Sequence, residues 1–159
     1  MTLCNILSKT LFLTFLSLAF IFVSCKDDDK DPVTVDNNEI VGKWQLTSVA
    51  PEDSTKTIPA LSYIAIAAPC AYELVFTFES NNKVTPSGCD AAITLLTTSG
   101  YLTIGSATTW KVENNTLKLT TSGTTQSLPL IQNGNNMTII VNTVSSGPAV
   151  NALLKFKRI

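Results

Sequence analysis

The sequence predicts an all-β domain built as a meander of about eight or nine short antiparallel strands, each apolar on one face. Three observations carry this. Apolar and polar residues alternate along most of the chain after residue 39, clusters of Asn, Gly and Ser interrupt the alternation at short intervals, and only residues 58–68 read as helical. Strands of this kind either stack as two sheets or close into a barrel, which removes exposed edges.

The elements follow in order. Residues 41–49 alternate, with Trp44, Leu46 and Ser48 on one face and Lys43, Gln45 and Thr47 on the other. An irregular stretch follows, polar from Pro51 to Lys56 and then apolar and alanine-rich from Ile58 to Ala68, long enough for a short helix after Pro59. Residues 71–79 alternate again, which places Tyr72, Leu74, Phe76 and Phe78 inward and Glu73, Thr77 and Glu79 outward. Ser80-Asn81-Asn82-Lys83 is turn chemistry that returns the chain as a strand over 83–85, and a weaker strand pair is expected at 92–97 and 101–104. Glu113-Asn114-Asn115 joins 108–112 to 116–121, while Gly123 and Asn133-Gly134-Asn135-Asn136 bound strands at 124–131 and 137–144. The last run, 153–159, suits pairing back onto the first.

Composition narrows the function. The chain has 159 residues, with 11 Lys and Arg against 12 Asp and Glu, a net charge of -1. That is one domain's worth of chain, without the basic face that nucleic acid demands. There is no histidine, which removes imidazole triads and most zinc sites. Glu73 and Glu79 lie six residues apart on one strand, ~20 Å, too far for a glycosidase pair. No nucleophile elbow, phosphate loop or metal-ligand cluster is present. The expectation is a protein that is not an enzyme and has no cofactor or metal.

The first 24 residues read as a signal peptide: Lys9 is followed by the 13-residue apolar run 11–23 (LFLTFLSLAFIFV), then Ser24. A membrane-spanning helix needs ~20 residues. Phe22-Val23-Ser24-Cys25 resembles the lipobox of bacterial lipoproteins, which implies lipidation at Cys25 and a membrane partner reached through N-terminal acyl chains, each buried methylene contributing ~0.8 kcal/mol. The following Lys26-Asp27-Asp28-Asp29-Lys30-Asp31 resembles the surface-export signal of Bacteroidetes lipoproteins, which implies an outer-membrane protein facing the medium. Residues 25–38 form a charged flexible tether, whose 14 residues reach up to ~50 Å.

Val41-Gly42-Lys43-Trp44 is similar to the Gly-x-Trp opening of lipocalin-like domains, and Phe156-Lys157-Arg158 to the Phe-x-Arg ending of those in Bacteroidetes lipoproteins. Cys70, Phe76-Thr77-Phe78, Cys89, Trp110 and Asn115-Thr116-Leu117 occur between them in the order such domains show. The resemblance covers roughly residues 40–159 and implies that 39–159 is a small antiparallel up-and-down barrel of about eight strands, with one short helical or irregular lid segment over its mouth. Trp44 and Arg158 are expected to close the last strand on the first through a cation–π contact of ~0.5–2 kcal/mol.

Cys4 leaves with the signal peptide and Cys25 is acylated, so Cys70 and Cys89 remain in an oxidising compartment and read as a disulfide. Segment 58–68 is expected to plug the barrel with Leu61, Ile64 and Ile66, or else to act as a lid over an apolar cavity. The candidate ligand-lining or plug residues are Leu61, Tyr63, Ile64, Ile66, Tyr72, Leu74, Phe76, Phe78, Trp110 and Leu119. Asp53-Ser54-Thr55 resembles the acceptor for O-glycosylation of exported Bacteroidetes proteins, with Ser54 as the site. Two functions compete: binding of a small apolar ligand, marked by a cavity of a few hundred cubic ångströms, and docking of an envelope protein or glycan on a solid barrel.

Overall fold

The computed structural model describes residues 39–159; the signal peptide, Cys25 and the tether lie outside the described residues. Eight strands form one antiparallel sheet: β1 (Gly42–Pro51), β2 (Val75–Phe78), β3 (Val84–Ser87), β4 (Thr109–Glu113), β5 (Thr116–Thr121), β6 (Thr124–Asn133), β7 (Asn136–Asn142) and β8 (Asn151–Arg158). The sheet order is β3-β2-β1-β8-β7-β6-β5-β4, and the bridge between Lys83 and Thr109 brings its two ends together. Each strand therefore neighbours its sequence neighbours around an almost closed up-and-down barrel.

Short turns join β2 to β3, β4 to β5 and β6 to β7 at one end, the base, and Ser122-Gly123 joins β5 to β6 at the other. Asn114 and Asn115 both take left-handed backbone, at φ 50° and 56°, and Asn is among the few L residues that tolerate it. The other end, the mouth, carries the two long connections. Between β1 and β2 lie helix α1 (Pro59–Ala67) and a 3₁₀ turn (Ala71–Glu73); between β3 and β4 lies helix α2 (Asp90–Thr98).

Three sequence expectations are corrected here. Residues 92–97 are helical, because Ala92, Leu95, Leu96 and Ser99 recur at helical spacing and Asp90 sits in the first turn of α2. Residues 101–104 form no strand; their backbone is held by a side chain instead, with Thr103 N–H donating to Gln126 Oε1 at 2.8 Å and Gln126 Nε2 to Tyr101 O at 2.9 Å. This stretch still buries Leu102 and Ile104. Finally, the strand expected over 71–79 begins only at Val75, since the 3₁₀ turn, closed by Glu73 N–H to Cys70 O at 2.8 Å, occupies its start and turns Tyr72 outward.

β1 also breaks its own alternation. The register with β8 slips between Leu46 and Ser48, so Thr47 is an extra residue and Val49, not Ser48, continues the inward face begun by Trp44 and Leu46. Inside, the barrel is filled. Phe76 stacks against Phe156 at 5.1 Å between centroids and Phe78 meets Trp110 edge-on at 5.4 Å. Leu74, Leu117, Leu119, Met137 and Ile139 are fully buried around them.

Candidate functional site

The base is sealed by the two ends of the described domain. Arg158 lies over the Trp44 ring, its guanidinium carbon 4.3 Å from the ring centroid. The same guanidinium donates to Val41 O at 2.7 Å and to Glu39 O, while Trp44 Nε1 donates to Ile40 O at 2.7 Å. Residues 39–41 are thus fastened across the barrel floor. Gly42 is required beside them: its φ is +136°, and a Cβ there falls 2.6 Å from Arg158 Nη1. Trp110 performs a related task at the seam between β3 and β4, where its Nε1 donates to Lys83 O at 3.0 Å. Beside this closure a shallow, open depression of about 270 Å³ with mixed polar and apolar walls is lined by Glu39, Ile40, Val112, Asn115, Leu130, Ile131 and Gln132.

The mouth is different. A partly enclosed cleft lies where α1 and α2 cross the open end, with an accessible volume of about 60 Å³, short of the few hundred cubic ångströms expected of a cavity for a whole small ligand. α1 contributes Ala60, Leu61 and Ile64; α2 contributes Ala92, Leu95 and Leu96; the barrel rim contributes Leu46, Val49, Val141, Ala152 and Leu154. The cleft meets no polar surface. Its room comes from small side chains, since Ala60, Ala68, Ala71, Ala92 and Ala152 all face it. A volume several times the ~10–15 Å³ needed by one water, with no polar partner for that water, favours hydrocarbon as its content.

A disulfide fixes the two walls of this cleft. Cys70, just after α1, bonds Cys89, the residue before α2, with Cα atoms 5.6 Å apart. Gly88 permits the approach: its φ is +91° and a Cβ there falls 2.0 Å from Glu73 O. Chain-entropy arguments assign such a cross-link ~3 kcal/mol.

Candidate lining residues divide three ways. Leu61 and Ile64 face the cleft. Ile66 and Tyr63 do not: they are 79% and 63% exposed, and α1 has no buried residue at all, so the helix covers the mouth as a lid and does not plug the barrel. The physical reason is that aromatic side chains from β1, β2, β4 and β8 already fill the interior. Tyr72, at 51% exposure, also points away, whereas Leu74, Phe76, Phe78, Trp110 and Leu119 belong to the core and none lines the cleft. The α2 wall escaped the sequence reading, although the spacing of residues 92, 95, 96 and 99 was the signal for it.

Charged groups are confined to the surface. Lys111 and Lys118 stand directly opposite each other on β4 and β5, an unfavourable like-charge pair. Glu113 bridges both, 2.7 Å from Lys111 Nζ, and the two ammonium groups, Lys111 foremost, hold its carboxyl down at about 2. Asp53 accepts from the Thr55 hydroxyl at 2.7 Å and its N–H at 2.9 Å, which lower its pKa and leave Ser54 exposed in a turn. Among the described residues, no group of three or more His, Cys, Asp or Glu is placed to hold a metal ion.

Eight antiparallel strands in sequence order, solid inside and carrying an apolar cleft under helices at the mouth, define a small up-and-down β-barrel. The model of the lipocalin-like domain family matches residues 40–143, and the chain belongs to that family. Its members are generally non-enzymatic binding proteins. Neither a curated protein nor a solved structure matches the chain.

Proposed function

We propose that the protein is a lipid-anchored lipoprotein of the cell envelope whose lipocalin-like domain holds a small apolar ligand, or the end of a hydrocarbon chain, in the cleft at the barrel mouth. The observation that carries this is the cleft itself: its walls expose no polar surface, and a disulfide clamps them together. The lining includes Ser99 and Tyr101, but the surface turned to the cleft is apolar, with the Ser99 hydroxyl donating to Leu96 O, so the site suits alkyl groups better than a sugar or a charged metabolite. Anchoring at Cys25 and display on the outer-membrane surface are supported by the lipobox-like junction and the acidic run behind it.

The filled interior favours a second reading, a solid-barrel module that docks an envelope protein or glycan and takes no small-molecule ligand. Titration with the neutral dye N-phenyl-1-naphthylamine separates the two. Saturable enhancement of its fluorescence, lost in an Ala60→Phe variant that fills the cleft from the lid side while the thermal transition persists, supports the ligand-binding reading. Absence of binding, or binding indifferent to Ala60→Phe, supports the solid module. Detergent partition of a Cys25→Ser variant tests the anchor independently: retention in the detergent phase removes it.

A further inference from the structure

The lid has two apolar sides. Residues 57–72 carry no charge at all, and within α1 the Ser62 and Tyr63 hydroxyls are the polar side-chain groups. A helix of that kind is ordinarily buried, yet Tyr63 and Ile66 project outward, with Tyr72 exposed beside them on the 3₁₀ turn. A groove of about 220 Å³ with both polar and apolar surface lies beside α1, lined by Leu61, Ile64 and Ala65 of the helix and by Pro69 and Tyr72 beyond it. Val49, Leu61, Ile64, Ala68 and Ala71 line both this groove and the cleft. These five apolar residues make the groove and the cleft contiguous beneath α1.

We propose that this face docks on a phospholipid bilayer and that the groove is the portal through which a hydrocarbon chain passes between bilayer and cleft. The proposal rests on the anchored, ligand-binding reading above. Tyr at the edge of an apolar face matches the headgroup boundary, where a ring sits in hydrocarbon and its hydroxyl stays wet. The absence of charge fits a zwitterionic surface better than a protein partner that needs polar registration. The tether also permits the required orientation. β1 begins at the base and ends at the mouth, a rise of ~33 Å over its 10 residues. The 14 residues from Cys25 to Asn38 reach ~50 Å, enough to lie alongside the barrel and let the mouth face the anchor's own membrane.

The test uses the full chain reconstituted from its membrane fraction into phosphatidylcholine vesicles that carry doxyl-labelled lipid. Trp44 and Trp110 are buried and provide a constant background, so a tryptophan introduced by Ile66→Trp reports the mouth and one introduced by Ile131→Trp, at an exposed position near the base, reports the opposite end. Docking predicts a blue shift and loss of most of the added emission at position 66, no change at position 131, and reversal when Tyr63→Asp is combined with Ile66→Trp. Flotation with the vesicles but no quenching at 66 overturns docking and leaves the anchor standing, as does quenching at 131 instead. Without flotation the anchor is overturned, and quenching at 66 by vesicles added in excess then decides docking alone.

Discussion

Replacing Pro59–Ala67 with a five-residue Gly/Ser linker separates a lid from a plug. The helix spans ~14 Å and five extended residues reach ~17 Å, so Ile58 and Ala68, both buried, keep their places. What is lost is the packing of Leu61 and Ile64, each only partly buried against the core. Full burial of such a side chain contributes ~1.5–3 kcal/mol, so two half-buried ones contribute together about the same ~1.5–3 kcal/mol. Against a domain stability of ~5–15 kcal/mol, that is a survivable loss. The barrel stays folded, and its thermal midpoint falls by roughly 5–15 °C. Binding of N-phenyl-1-naphthylamine falls in parallel, because one wall of the cleft has gone. Differential scanning calorimetry and the dye titration read the two effects. Disappearance of the cooperative transition refutes the lid geometry and restores α1 to the core; a normal transition with unaltered dye affinity refutes the cleft as the site.

Three further outcomes are expected. Gly42→Ala forces a side chain into φ +136° and against Arg158 Nη1, a strain of about 1–3 kcal/mol; urea unfolding at a lower midpoint and altered Trp44 emission measure it, and an unchanged midpoint refutes the floor geometry. Paired Cys70→Ser and Cys89→Ser substitutions lower stability by ~3 kcal/mol and weaken dye binding as the two walls drift apart, whereas equal affinity in the variant assigns the bridge to stability alone. Glu113 has a folded pKa near 2 against 4.5 unfolded, so its contribution is complete above pH 4.5 and is lost as pH falls toward 2. Chemical denaturation of Glu113→Gln across that window shows the gap from the parent closing as pH falls, and closing also with added salt, since the group is solvent-exposed.

The strands and their turns were legible in the sequence because their causes are local. Alternation around Phe76 and Phe78, the Asn114-Asn115 turn and the run Leu154-Lys155-Phe156 each specify a face or a reversal within a few residues. The pairing of Trp44 with Arg158 was legible too, through the resemblance at both ends of the domain, and so was the bond between Cys70 and Cys89, from their number and the compartment that the leader-like first residues led one to expect.

What the tertiary structure alone decided lies at the mouth. Whether Ile66 points in or out depends on how much room the aromatic core leaves, a sum over four strands that no window of sequence contains. The slip at Thr47 comes from the register imposed by β8, about a hundred residues away along the chain. Residues 101–104 satisfy their backbone outside any strand, through Gln126, the Thr121 hydroxyl and Leu96 O, partners that no local window contains. Local propensity sets the faces of strands, whereas the volume enclosed between them is set by every strand at once. The existence of a cleft, its size and the side of α1 that covers it therefore become visible only when the barrel closes.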